Sequence, residues 1–540
     1  MLEGIMGAAR SGGQIVVDEL LAHGVTTAFG VPGESFLPVL DAMYDSDPSF
    51  TFVTCRHEAG AATMAEATGK LTGKPGICLV TRGPGATHAS VGVHNAAQDS
   101  SPMILFVGEP PNRARHRDTF QELDLEQTFG DLAKWVVSIR DTERLPELIS
   151  RAFRVATGGR PGPVVIGLPE DMLFGESEAE TVVATPVARP RPTGEQIAAV
   201  TALLAESERP IGIVGGPGWS QGAADGFKKF AEAWQLPVAN AFRRQDAFDN
   251  ASDCYVGDLG VQMNPRLAEQ ITSADAVLAI GCRLDAITTA GYRLLEPPRP
   301  RQRLVHVHVG EDELGRVYQP ELAIHSDIEA FCDELSTADA LPAPRWADRA
   351  AAARAGYRDW AAAENQGEAV RLAEFLTVIY RKLPADALIA SGAGNYAVSV
   401  HRNSSFGSYP AQVAPTSGSM GYGLPAAIAA KAAFPKRMSV AFAGDGCFLM
   451  SGNELATAVQ HDLPVLVVVI NNSMYGTIRA HQEKQYPGRV VGTSLVNPDF
   501  ARYARAFGCV GEVVNTVEEL TEQLDQFLAG DRPTLLEIRV

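Results

Sequence analysis

The 540-residue chain has no closely spaced cysteines: Cys55, Cys78, Cys254, Cys282, Cys332, Cys447 and Cys509 stand far apart, with no Cys-x-x-Cys pair. Neither a disulfide framework nor a structural zinc site is indicated, and a reducing cytoplasm fits best. Positive charge is scarce as well. The 46 Lys and Arg are outnumbered by 64 Asp and Glu, the formal charge is −18, and no basic block could track a phosphate backbone, so nucleic acid is not an expected partner. Long apolar runs are also missing. Stretches such as "PVLVVVI" at 464–470 have the length of a strand, not the roughly 20 residues that span a bilayer, so no membrane association is expected. The opening "MLEGIMGAARSGG" lacks the basic region and apolar core of a secretory signal.

What is present is the composition of an ordinary globular protein, 46% hydrophobic and 20% charged. The chain is too long for one core, and domains of roughly 100 to 200 residues predict three. Two Pro-rich stretches, "ATPVARPRPTGE" at 184–195 and "STADALPAPRW" at 336–346, read as linkers and divide it into 1–184, 195–336 and 346–540. Each third alternates short Val/Ile/Leu-rich runs with amphipathic helical patterns, which predicts three α/β domains with doubly wound parallel sheets. The expected strands are "TTAFG", "FTFVTC", "GICLVT", "MILFVG" and "PVVIGLP" in the first third. The second offers "PIGIVGG", "AVLAIG" and "LVHVHVG", and the third "ALIASG", "MSVAFAG", "PVLVVVINN" and "TLLEIRV".

The sharpest chemistry lies at 438–472. "MSVAFAG" is apolar on both faces, as an interior parallel strand should be, and stops at Gly444-Asp445-Gly446, where glycines let the backbone turn and approach a ligand. "SGNELATAVQHD" predicts a helix, and "PVLVVVI" a neighbouring strand ending at Asn471-Asn472. Ligands in such sheets bind beyond the carboxyl ends of the strands, and this unit brings Asp445 and Asn472 to that edge together. A carboxylate, an amide oxygen and a nearby main-chain carbonyl form an all-oxygen half-shell suited to Mg²⁺, whose other ligands are commonly water and phosphate oxygens. Taken singly, Gly-Asp-Gly also reads as a turn and the asparagines as caps.

With this spacing the sequence resembles the thiamine diphosphate enzymes, whose signature is Gly-Asp-Gly followed, after a helix and a strand, by Asn-Asn. The resemblance implies that Asp445, Asn472 and the Met474 carbonyl hold Mg²⁺ against the cofactor diphosphate. Gly444, Gly446, Cys447, Tyr475, Gly476 and Thr477 would surround that end. A second piece, residues 52–109 beginning "FVTCRHEAGAATMAEATGK", resembles the pyrimidine-binding domain of the acetolactate synthase-like branch, in which the glutamate at the position of Glu58 hydrogen-bonds the aminopyrimidine. Read without the family, Arg56-His57-Glu58 is also a plausible surface ion-pair cluster. "SMGYGLPAAIAA" at 419–430 would place Met420 under the bent cofactor, and "FQE" at 120–122, "RPGPVVIGLPED" at 160–171 and "NPDF" at 497–500 extend the match.

The resemblance implies pyrimidine-binding, central and diphosphate-binding domains. It also implies C–C bond cleavage or formation on a 2-oxo acid or related carbonyl, in a homodimer or homotetramer with active sites between chains. A flavin-linked 2-oxo acid oxidase and a catalytically silent cofactor-binding paralogue are the alternatives, and retention of Glu58, Asp445 and Asn472 together favours the enzyme. Several positions depart from the synthases. His481 replaces an acceptor-selecting tryptophan, Glu34 stands where a glycine is usual, and "GAGNY" at 392–396 offers Asn395 in place of the usual Gln/His segment. Gln121, Arg479 and His481, with Glu34, are the candidate substrate residues. Gly281, Arg283 and Asp285 in "GCRLDA" partly match a flavin site, whereas "GDLGVQMNP" at 257–265 replaces the Met-His-Gly flavin contact, which leaves FAD open but without support.

Overall fold

The computed structural model describes residues 9–46, 50–362 and 368–540. Residues 1–8, part of the stretch judged above to hold no secretory signal, lie outside the described residues. Among the described residues no helix is long and apolar enough to cross a membrane.

Three six-stranded sheets, parallel throughout, are flanked by helices. The first runs, in spatial order, Thr51–Thr54, Thr27–Gly30, Gly76–Thr81, Met103–Glu109, Pro163–Pro169, Trp135–Ser138. The central sheet runs Tyr255–Asp258, Val238–Asn240, Pro210–Val214, Ala276–Ile280, Arg303–His308, Leu322–His325. The third runs Gln412–Val413, Leu388–Ser391, Ser439–Gly444, Leu466–Asn471, Thr534–Arg539, Val510–Val514. Counting strands along the chain, the first and third sheets share the order 2-1-3-4-6-5, whereas the central sheet is 3-2-1-4-5-6. A short antiparallel pair, Arg10–Ser11 with Glu176–Ser177, ties the two ends of the first domain.

Every strand expected from the sequence is present. The unexpected ones, Trp135–Ser138, Val238–Asn240, Tyr255–Asp258, Leu322–His325, Gln412–Val413 and Val510–Val514, lie at or next to sheet edges. Five of these six have a single neighbour, and a strand paired on one side carries less of the Val/Ile/Leu signal, whereas Val238–Asn240, paired on both sides, is only 3 residues long. One helix needs correction. The helix expected over 451–462 is broken: a helical turn starts at Asp445 itself (Asp445–Phe448), a 3₁₀ turn follows at Gly452–Glu454, and only Leu455–Gln460 is regular.

The first and third domains share one apolar cluster, in which the Ala/Gly-rich helices Glu58–Thr72 and Gly423–Ala433 pack together. In the central domain the crevice where the strand order reverses is filled from within. A Cβ at Gly216 would meet the Gly281 carbonyl at 1.9 Å, and the Trp219 indole donates to the Gly215 carbonyl at 2.9 Å. Arg283 donates to the Gln98 carbonyl (3.2 Å) and lies 3.5 Å from Glu313, while Asp285 accepts the Ile287 and Thr288 N–H groups.

All three domains meet at Asp99. Its buried carboxylate lies 3.3 Å from the Lys70 ammonium and accepts the N–H and hydroxyl of Thr416 from the third domain. Arg244 of the central domain donates to the Asp99 carbonyl at 2.9 Å. Burial opposes ionisation of Asp99, but Lys70, Arg244 and Thr416 outweigh it and hold the carboxyl below its ordinary range. Asp99→Ala removes the carboxylate nearest the buried Lys70 and Arg244, leaving Glu66 as the acidic neighbour of Lys70, and should destabilise the protein by about 3–5 kcal/mol, read as a lower midpoint in denaturant unfolding. Because the folded pKa is depressed, the wild-type advantage is fully present above the unfolded Asp value of about 3.9 and is lost as pH falls from there through the lower folded pKa.

Candidate active site

The third sheet reverses its strand order between Leu388–Ser391 and Ser439–Gly444, and at that point the carboxyl ends of its strands open into a cavity of about 260 Å³. Three chain segments line it: Ala393–Tyr396, Gly444–Cys447 and Ile470–Ile478 without Asn471 and Ser473, joined by Gly418 and Met420. The helices Asn395–Asn403 and Gly476–Gln485 both begin at this cavity, and neither start is capped by a side chain. The Gly476 N–H donates to the Met474 carbonyl (3.0 Å) and the Ala397 N–H to the Gly394 carbonyl (3.1 Å), and the other first-turn N–H groups with the positive dipole ends make the cavity a site for an anion such as a diphosphate. Thr477 Oγ1 donates to Asn395 Oδ1 at 2.8 Å and links the two starts.

Alternation along the strand separates the two asparagines. Asn471 turns away: its Nδ2 donates to Glu537 (2.8 Å) and its Oδ1 accepts from Asn497 (2.9 Å). Asn472 faces the cavity, with its Oδ1 near the Met474 N–H (3.3 Å). Asp445 is 2% exposed. Burial pushes its carboxyl above the usual range, against the Asn497 hydrogen bond (2.7 Å) and backbone donors that favour the charged form. The Met474 carbonyl accepts the Gly476 N–H at 3.0 Å and keeps a second lone pair. A desolvated carboxylate beside an amide oxygen and such a carbonyl is where a hard cation gains most, so the oxygen donors of Asp445, Asn472 and Met474 fit a Mg²⁺-type ion.

Tight packing shapes the cavity floor. A Cβ on Gly446 would meet the Tyr475 ring at 2.4 Å, and one on Gly444 the Tyr396 ring at 3.0 Å. The buried Tyr396 accepts the Gly392 N–H at 3.1 Å and donates to Cys447 Sγ at 3.5 Å, while Gly421 N–H donates to the same sulfur at 3.2 Å. Cys447 is thus a buried acceptor that braces three segments. Met420 is half-buried, reaching the cavity from the core of the third domain.

Glu58 is elsewhere. It opens the helix Glu58–Thr72 at the carboxyl edge of the first sheet, 2.9 Å from His88 Nδ1, and does not line the cavity of its own chain. Gln121 lies near it, its backbone at φ +62° and its carbonyl accepting the Gly83 N–H at 2.9 Å, next to the Gly85 turn that faces Glu58. Glu34 is exposed in the helical turn Glu34–Phe36 on the same edge. On the helix Gly476–Gln485, Arg479 is paired with Glu483 (2.7 Å) and His481 is exposed outside the cavity lining, which Ile478 joins instead. Three contributors carry no signal of their own in the sequence: Tyr396 within "GAGNY", Asn497 within "NPDF", and Ile478, two residues past Gly476.

Comparison with known proteins decides the family. Residues 10–128 match the N-terminal TPP binding domain of thiamine pyrophosphate enzymes, residues 197–335 their central domain and residues 392–538 their C-terminal TPP binding domain. The chain belongs to the thiamine pyrophosphate enzymes. It is 32% identical to the acetolactate synthase large subunit of Parasynechococcus marenigrum over 98% of this chain and 87% of that one. It is 30% identical to the acetolactate synthase isozyme 2 large subunit of Escherichia coli, over 98% and 95%, and 31% identical to the mitochondrial acetolactate synthase of Schizosaccharomyces pombe, over 98% and 83%. This thiamine pyrophosphate enzyme is therefore acetolactate synthase-like, a carboligase of the transferase or lyase type. Its cavity falls in one TPP binding domain and Glu58 in the other.

Gly446→Ala tests the cavity. The added methyl meets the Tyr475 ring, so the folded variant should bind thiamine diphosphate at least about tenfold more weakly in calorimetric titration, with far-ultraviolet dichroism unchanged. Wild-type affinity would mean that the cofactor is held elsewhere.

Proposed function

We propose that the protein is a Mg²⁺- and thiamine diphosphate-dependent carboligase that decarboxylates a 2-oxo acid and joins the remaining acyl unit to a second carbonyl. The observation that carries this reading is the convergence of Asp445, Asn472 and Met474 with two uncapped helix starts in one cavity. Asp445, Asn472 and the Met474 carbonyl would hold the metal. Gly446, Asn395 and the helix start at Gly476–Thr477 would hold the diphosphate, with Met420 beneath the cofactor. The bound cofactor supplies a carbon nucleophile that also stores the electron pair released with carbon dioxide. The chain's own task is to orient that group, exclude water and hold a proton at Glu58.

Glu58 would come from a second copy of the chain, because it sits on the other cofactor domain and does not line its own cavity. The active unit is then a homodimer or a dimer of dimers, with the units 1–184, 195–336 and 346–540 exchanging contacts across the interface. Acceptor choice would fall to Ile478 and Met420, with Glu34 and Gln121 arriving from the other chain. The seven cysteines, all buried and free, suit a cytoplasmic enzyme.

The direct test is incubation with thiamine diphosphate, Mg²⁺ and a panel of ¹³C-labelled 2-oxo acids with paired acceptors, followed by product mass analysis. Cofactor-dependent release of carbon dioxide together with a ligated product is expected. Release of carbon dioxide with only an aldehyde would replace ligation by simple decarboxylation, and no turnover across the panel would overturn the reading.

Site sharing has its own signature. Glu58→Gln and Asp445→Ala should each be inactive alone, yet after subunit exchange an equal mixture should recover about a quarter of wild-type activity, since half the dimers carry one intact site. A mixture that stays inactive despite proven exchange would place each site within one chain.

A further inference from the structure

Glu58 stands at the start of a 15-residue helix. His57 caps that helix by accepting the Ala59 N–H at Nδ1 (3.1 Å), so the proton of its neutral ring sits on Nε2. Its ring lies against that of His88, with centroids 4.6 Å apart. His88, on the helix Arg82–Asp99, brings Nδ1 to 2.9 Å from Glu58 Oε2. Among the described residues no hydrogen bond engages the other oxygen, Oε1, which lies towards Gly85. The backbone beneath is held from the third domain. The buried Glu454 carboxylate accepts the N–H groups of Arg56 (3.2 Å) and His57 (3.0 Å), and a Cβ at Gly60 would lie 2.4 Å from it.

We infer that His88 is a positioning residue for Glu58: its Nδ1–H holds Oε2, so that Oε1 alone is presented to the cofactor pyrimidine. This rests on the reading of Glu58 as the pyrimidine-facing carboxylate. A glutamate side chain is flexible and its two oxygens are equivalent until one is engaged. Tying Oε2 to a ring that is itself packed against His57 fixes both the rotamer and the oxygen that acts. The carboxylate acceptor in turn fixes the His88 tautomer with its proton on Nδ1. Misplacing a catalytic group by about 1 Å can cost about 10²-fold, so the restraint has a kinetic consequence.

Two substitutions separate the donor from the shape. His88→Asn places an amide N–H at the same δ position as the imidazole Nδ1, whereas His88→Leu keeps a branched side chain without a donor. In the cofactor-free protein, imidazole ¹⁵N shifts should report His88 protonated on Nδ1, and Glu58→Ala should abolish that preference. In the loaded protein, exchange of the cofactor C2 proton should fall about 10- to 100-fold in His88→Leu and stay within about threefold of wild type in His88→Asn. Wild-type exchange in His88→Leu, an Nε2-protonated His88 in the free protein, or an Asn variant as slow as the Leu variant would each overturn the inference. Glu58→Ala serves as the reference. If exchange survives in it, the reading of Glu58 fails; if exchange is lost there but persists in His88→Leu, only the role of His88 fails.

Discussion

The architecture depends on one buried charge. Asp99 gathers Lys70 from its own domain, Arg244 from the central domain and Thr416 from the third, and Asp99, Lys70 and Arg244 are all buried. A buried ionic cluster of this kind adds little net stability compared with apolar packing, because desolvation offsets most of its attraction. What it enforces is mutual position, since each domain supplies a charge or a donor that the others require. Around it the apolar contact between the helices Glu58–Thr72 and Gly423–Ala433 supplies bulk without direction.

Position matters here because the cavity lining and Glu58 sit at strand ends and helix starts, not in the cores. Parallel strands deliver their loops to one edge, and the helices that follow begin there with free N–H groups. The third domain turns this edge into an anion and cation cradle, while the first presents a carboxylate. The same geometry explains why Asp445 tolerates burial: Asn497 and nearby backbone donors support its charge until a cation can.

Much of this was legible in the sequence, for a physical reason. Interior parallel strands are buried on both faces and announce themselves as runs such as "MSVAFAG", whereas Gln412–Val413 and Val510–Val514, on the two edges of the third sheet, do not. Asp445 and Asn472 could be paired because both follow such runs. Tyr396 could not, since a tyrosine two residues past a glycine turn looks alike whether it braces a sulfur or faces solvent. His481 looked informative only through its counterpart in relatives, and its side chain stands outside the cavity lining. The helix expected at 451–462 is shortened because its first residues form the 3₁₀ turn Gly452–Glu454, from which Glu454 reaches the first domain.

The shared strand order of the first and third sheets means that one wiring diagram is used twice in the chain, once to carry Glu58 and once to carry the cavity. Under the proposed twofold assembly the two would be brought face to face and complete sites would arise only in pairs. Each chain would then own two half-sites and no whole one, so the count of working centres would follow how many chains are assembled and not how many are folded. Dilution would then silence both centres of a pair at once while leaving every domain intact.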